Sequence, residues 1–163
     1  MNYIDLEKVF KIENTNINVV PFESYLLKVM DLYEVDQELF TQFPDYLSFI
    51  NNAAKQGNGF AVCVDGKPMT CFGVVPLWKG VGEIWMIPDK FMLSKFKTKF
   101  HKGAFKFMLT TAKQLKLHRI QCTVKSNNTR AIKWIESMKF LKEGIVKQYG
   151  PDKEDYIMYA RLF

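Results

Sequence analysis

The sequence predicts an α+β domain: a mixed, mostly antiparallel twisted sheet with helices on both faces. Three observations carry this. Between residues 60 and 87, three β-rich runs follow one another with only short turn signals between them, the spacing of a meander. Helix-period segments lie before and after that meander. The chain has 163 residues, 48% of them hydrophobic and 25% charged, which suits one domain with a substantial core and argues against disorder. No internal repeat and no Pro/Gly/Ser linker divides it, so residues 1–163 are expected to form a single domain.

The elements follow in order. Ile17 to Val20 reads as a short first strand. Glu23 to Tyr33 has a helical period, with Tyr25, Leu26, Val29, Met30 and Tyr33 apolar. Pro44 to Lys55 is a second helix, since proline suits a first turn and Tyr46, Leu47, Phe49, Ile50, Ala53 and Ala54 form its apolar side. Gln56-Gly57-Asn58-Gly59 ends it. The meander comprises Phe60 to Val64, Met69 to Pro76 and Gly82 to Ile87, with Asp65-Gly66 as a hairpin turn. Pro88 closes it. Lys90 to Lys102 lacks a clean period and reads as a long loop with at most a helical turn.

Gly103 to Leu117 is the best helix, with Phe105, Met108, Leu109, Ala112 and Leu115 on one face and Lys102, Lys106, Lys113 and Lys116 off it. Arg119 to Val124 alternates and is β-branched, a strand. Asn127 or Asn128 can cap a helix that runs to Ser137 or Met138, with Ala131, Ile132, Ile135 and Met138 inward. Phe140 to Gln148 and Asp155 to Leu162 are the last strands, joined by a Gly150-Pro151-Asp152 turn. The expected order is β-α-α-β-β-β-α-β-α-β-β.

Charge is unevenly placed. Lys90 to Ile135 contains no acid and twelve of the 23 bases, leaving eleven bases against all 17 acids elsewhere. A cationic segment on an otherwise acidic chain implies an anionic partner, whether nucleotide phosphates, nucleic acid or an acidic surface, unless it is only a solvated face. No apolar run reaches the ~20 residues of a membrane span. The first thirteen residues lack a basic and apolar leader, so a cytoplasmic protein is expected. Cys63, Cys71 and Cys122 form no C-x-x-C and read as buried, reduced thiols; with His101 and His118 they show no metal-ligand spacing. Walker and Gly-x-Ser-x-Gly motifs are missing.

The tail carries a resemblance. Val124-Lys-Ser-Asn-Asn128-Thr-Arg-Ala131-Ile132-Lys-Trp134, followed by Phe140-Leu-Lys-Glu143-Gly144, resembles the C-terminal signature of the GCN5-related N-acetyltransferase (GNAT) superfamily. Asn128, Ala131, Ile132, Phe140, Glu143 and Gly144 match in register. Asp155-Tyr156-Ile-Met-Tyr159-Ala-Arg-Leu162 is similar to the closing strand of members that acetylate protein N-termini, and the element order resembles the family's over nearly the whole chain. Glu83-Ile-Trp85 and Ala131-Ile-Lys-Trp134 also resemble small acetyltransferase-like proteins of tailed bacteriophages. Three departures stand out. Lys139 replaces the usual glycine before the Phe. Ile135 stands where many members carry a tyrosine acid. Lys99-Phe-His-Lys102-Gly103-Ala104 stands where the family has Arg/Gln-x-x-Gly-x-Gly/Ala.

The resemblance implies acetyl-CoA as co-substrate, a primary amine (a small molecule or a protein N-terminus) as acceptor, and no metal. A homodimer is compatible with it. Lys99, Phe100, His101, Lys102, Gly103 and Ala104 would then meet the phosphates at a helix start, where backbone N–H groups and the dipole favour anions. The backbone of Trp85 and Met86 would hold pantetheine, and Asn128 would reach the cofactor unless it is only an N-cap. Glu83 is the candidate base and Tyr149 the candidate acid for amine acetylation; a salt-bridged strand residue and a packed aromatic are the plain alternatives. Two rival readings remain. One is a GNAT-fold protein without catalysis that binds a partner, in a phage particle for instance. The other is a nucleic-acid binder that stacks bases on Phe91, Phe96, Phe100 and Phe105. Phe105 belongs to the expected core face, so nucleic acid is not the expected partner.

Overall fold

The computed structural model describes residues 3–55 and 59–163; the Gln56-Gly57-Asn58 part of the expected helix stop lies outside them. The elements are α1 (Tyr3–Phe10), β1 (Ile17–Pro21), a 3-10 helix (Ser24–Val29), α2 (Glu34–Gln42), α3 (Pro44–Ala53), β2 (Gly59–Val64), β3 (Lys67–Trp78), β4 (Val81–Pro88), α4 (Lys90–Gln114), β5 (Arg119–Lys125), α5 (Thr129–Ser137), β6 (Leu141–Val146) and β7 (Tyr156–Leu162). Seven strands form one sheet in the order β1-β2-β3-β4-β5-β7-β6. The β1/β2, β2/β3, β5/β7 and β6/β7 pairs are antiparallel and β4/β5 is parallel. The expected mixed α+β class is what the chain adopts. Two compact units share the sheet, Met1–Val75 with Trp85–Thr110 and Pro76–Ile84 with Thr111–Phe163.

In the first unit β2 is buried along its whole length, as a strand covered on both faces must be. The Asp65-Gly66 turn behaves as its sequence signals: both residues have positive φ, 51° and 80°. Two aromatic-rich clusters fill the unit. Phe10 lies 5.5 Å from Phe72 and 5.9 Å from Phe100, while Phe107 meets Phe72 edge-on at 4.6 Å and Phe60 at 6.0 Å. The other cluster gathers Phe22, Leu26, Leu27, Met30, Ile50, Cys71 and Ile87, with Trp85 packed against it.

The helices differ from expectation in several places. Glu23 to Tyr33 is not an α-helix but the short 3-10 turn Ser24–Val29. Leu27 and Met30, three apart, point inward, which suits three residues per turn, and Tyr25 and Val29 face out. The chain then straightens because the Asp31 N–H donates to Asp89 Oδ2 at 2.7 Å and Leu32 bridges Asp89. On α3, Ile50 and Ala53 are buried but Phe49 is exposed.

Neither α1 nor α2 was legible. The first is short, with Leu6 and Phe10 as its buried i,i+4 pair; the second buries no residue and has Glu34 and Asp36 in its first turn, where they complement the helix dipole. Finally, Lys90 to Lys102 is not a loop. It is the first half of α4, broken only at Phe96 (φ −117°, ψ 18°). The break resets the helical phase, so no single period runs through the segment. Past it, Phe100, Ala104, Phe107, Met108, Thr111 and Ala112 are buried, and Leu109, expected inward, is exposed.

In the second unit β5 lies between β4 and β7, and α5 is capped at both ends. Asn128 Oδ1 accepts from the Ala131 N–H at 3.1 Å. At the other end the Lys139 N–H donates to the Glu136 carbonyl at 2.9 Å and the Phe140 N–H to the Ile135 carbonyl at 3.3 Å, a Schellman cap with Lys139 at φ 67°. The glycine usual before the Phe is thus a left-handed position, and lysine there carries a Cβ penalty. Lys139→Gly is expected to raise stability by about 0.5–1 kcal/mol, the relief of that strain less the extra freedom glycine gives the unfolded chain. A urea titration reads it, and an unchanged or lower midpoint refutes it.

Candidate functional site

Glu83 lies on β4, one residue past Gly82, where the parallel register sets Val81 beside Arg119, Gly82 beside Ile120 and Glu83 beside Gln121. Residues paired in register project from the same sheet face, so the Gln121 side chain stands beside the Glu83 carboxyl, where its amide lowers the Glu83 pKa. Gln121 is in turn held from behind: the Arg119 Nε–H donates to Gln121 Oε1 at 2.9 Å. Arg119 ends in a two-pronged pair with Glu143, with Nη1 to Oε1 at 2.7 Å and Nη2 to Oε2 at 2.6 Å. Glu143 can meet Arg119 because β6 shifts register between Lys142 and Gly144, leaving Glu143 as the extra residue of a bulge.

The electrostatics follow from that arrangement. Half-burial pushes the Glu83 carboxyl up from the ordinary range, and the Gln121 hydrogen bond holds it partly back. Arg119 draws Glu143 down. Cys122, the next residue on β5, is pushed up to about 12 by burial and by the Glu83 charge, so its thiol is protonated at neutral pH.

The other sequence candidates lie elsewhere. Trp85 and Met86 follow on β4, both half-buried; pleating puts Trp85 on the Glu83 side, and its ring meets Phe22 edge-on at 5.2 Å. Lys99 to Ala104 lies in the first turns of the second run of α4, which begins after the Phe96 break and so earlier than the start expected at Gly103. Lys99 and Lys102 are exposed and His101 is half-exposed, whereas Phe100 (1% exposed) and Ala104 are core. Gly103 faces the core too: a Cβ there would come within 2.4 Å of the Phe10 ring. Its glycine makes room for an aromatic ring.

Asn128 is an N-cap through Oδ1. Tyr149 is exposed and packs edge-on against Tyr156 at 5.3 Å. Tyr156 pairs with Lys125, four residues along β5 from Gln121, or about 13 Å at the strand rise. Glu83 and Tyr149 are therefore not brought together.

Sequence reasoning missed Arg119 and Gln121. Arg119 counted only as one base among twelve, and Glu143 only as a motif letter. The signal was a polar stripe, Arg119, Gln121, Thr123 and Lys125, at alternate positions of β5. Among the described residues, no three His, Cys, Asp or Glu side chains converge as a metal site, and no helix is long and apolar enough to cross a membrane.

No family model matches the sequence, and no curated protein matches it. Solved structures match it over nearly its whole length. An acetyltransferase of the GNAT family from Bacillus anthracis superposes with a TM-score of 0.65 at 20% identity, over 90% of this chain and 94% of its own. RimL, an α-N-protein acetyltransferase of a ribosomal protein, solved in complex with coenzyme A, gives 0.67 at 11% identity, over 94% and 97%. The ribosomal-protein-S5-alanine acetyltransferase from Vibrio fischeri gives 0.61 at 15%, over 93% and 94%. With the strand order, the parallel β4/β5 pair and the Asn128-capped α5 already in place, these superpositions establish that the chain has the fold of the GNAT acetyltransferases.

Proposed function

We propose that this chain is an N-acetyltransferase that moves the acetyl group of acetyl-CoA to a primary amine. The observation that carries the reading is Glu83: a half-buried carboxylate with a raised pKa, on β4 of a GNAT fold. A base whose pKa moves up toward the working pH is better matched to an alkylammonium proton.

In this reading Glu83 accepts the ammonium proton, directly or through one water, and frees the amine lone pair. Bound acetyl-CoA supplies an activated acyl carbon and a thiolate leaving group. The new N–C bond replaces the C–S bond, and the departing sulfur takes up the proton that the nitrogen sheds as the amide forms. The Trp85 and Met86 backbone is the proposed rail for pantetheine, and the Asn128 amide, whose Oδ1 caps α5, keeps Nδ2–H₂ as a proposed donor to the cofactor. Lys99 and Lys102, exposed in the first turns after the Phe96 break, suit the phosphates as point charges, with His101 between them. Phe100, Gly103 and Ala104 do not fit a phosphate cradle, because they face the core against Phe10 or are themselves core. Tyr149 is given no step, since it stands on Tyr156 away from Glu83.

The test is calorimetry with coenzyme A at low salt, then acetyl transfer to a panel of small amines and peptide N-termini. Binding is expected, and it should weaken as salt rises, because exposed charges are screened within roughly 8 Å at physiological ionic strength. Lys99→Ala with Lys102→Ala should weaken binding at least tenfold, each charge-assisted contact contributing about 1–3 kcal/mol. The melting temperature should not move, as both side chains are exposed. No heat of binding in the parent refutes the reading, and unchanged affinity in the double variant moves the phosphates elsewhere.

A further inference from the structure

We propose that Gln121 is a positioning residue for Glu83, its amide turned and locked by the Arg119–Glu143 pair so that its N–H₂ group holds the Glu83 carboxylate ionised and aimed. The inference rests on the reading of Glu83 as the base. It adds to that reading the device that sets the base.

The geometry leaves one arrangement. An arginine side chain only donates, so the Gln121 atom that meets Arg119 Nε–H at 2.9 Å must be the acceptor, Oε1. The amide then has its two N–H donors left for Glu83, beside it in the β4/β5 register. Those donors can serve a carboxylate but cannot accept a proton from a carboxylic acid, so the contact favours the ionised form. Both terminal nitrogens of Arg119 pair with Glu143, at 2.7 and 2.6 Å, which favours this orientation of the side chain. Donors therefore point one way from Arg119 through Gln121 to Glu83, and Glu143 anchors the far end. From the same strand Cys122 also acts on Glu83, but its thiol is protonated until about pH 12. Burial, opposing ionisation, and Gln121, favouring it, are the two influences that set the carboxyl.

This arrangement makes the base tunable without touching it. The sign is fixed: Gln121 lowers the Glu83 pKa, so removing its donor raises it. A base works only when ionised, so the acidic limb of the rate profile must move to higher pH in step.

The experiment titrates Glu83 in full-length protein by carbon NMR of δ-13C glutamate, assigned with Glu83→Gln, and sets it beside the pH profile of kcat/KM for coenzyme A-dependent acetylation. Gln121→Leu keeps the volume and removes the donor. We expect an upward move of the Glu83 midpoint, the same move of the acidic limb, and kcat/KM on that limb about tenfold lower, the worth of one hydrogen bond to a charged group. Glu143→Gln, which alters neither β4 nor β5, should move both in the same direction by less, and it serves alone if Gln121→Leu does not fold. An unmoved midpoint in the folded variants overturns the positioning role whatever the protein catalyses. A midpoint that moves while the rate profile does not overturns Glu83 as base, and with it the proposed mechanism.

Discussion

Replacing Glu83 by Gln lowers kcat at least tenfold, and toward the 10²–10⁴ range that a positioned general base contributes, while coenzyme A affinity stays unchanged. The size follows from what the substitution removes. Gln keeps the volume of Glu and can still accept from Gln121, so β4 and its pairing with β5 persist. What is lost is the ability to take a proton. Because burial works against the Glu83 charge, removing that charge is not expected to lower stability, and a melting curve separates a chemical loss from a folding loss. Parent-like turnover in Glu83→Gln with a working acceptor would show that solvent, not this carboxyl, deprotonates the amine. The pH profile gives a second check. The parent loses rate as pH falls through the raised Glu83 pKa, and the variant, with nothing to protonate there, should lose that limb.

Much of this molecule could be read from its letters, and what could not has physical causes. The three meander strands, β5, α5 and the closing hairpin were legible because each has a local signature. Asp65-Gly66 supplies positive φ, Asn128 supplies a cap, and Gly150-Pro151 makes a turn. The errors lie where tertiary context decides. Residues 23–33 have helical spacing, but Asp89, far away in sequence, takes the Asp31 N–H and pulls the chain straight. Residues 90–102 lack a period because Phe96 breaks α4 into two runs. At the site, Glu83 was found because a family resemblance pointed to its strand. Gln121 was missed because nothing local says that it sits beside Glu83. That neighbour relation comes from a parallel register between strands 38 residues apart, and parallel pairing leaves no turn signal between its partners. The Glu143 contact likewise depends on a bulge.

Phe10→Ala should be strongly destabilising, at about 3–5 kcal/mol, the usual cost of emptying a buried phenylalanine site. Phe10 is 2% exposed, stacks on Phe100 and packs tilted against Phe72 from a helix only eight residues long. Against a total stability of roughly 5–15 kcal/mol, that loss is about a fifth or more of what holds a domain together. The test becomes sharper with Gly103. Alone, Gly103→Ala should cost about 1–3 kcal/mol by overpacking, since its Cβ would lie 2.4 and 2.6 Å from two Phe10 ring carbons. Without the Phe10 ring those two clashes vanish, and a methyl group at 103 partly fills the cavity. The double variant should therefore be no less stable than Phe10→Ala alone, a coupling that urea unfolding of all four proteins measures. The cycle also settles what the glycine is for. If Gly103 serves the core, Gly103→Ala loses stability but the molecules that remain folded bind coenzyme A as the parent does. If the two costs simply add and the folded fraction binds coenzyme A more weakly, the glycine is there to let a phosphate approach the backbone, and Phe10 is only its neighbour.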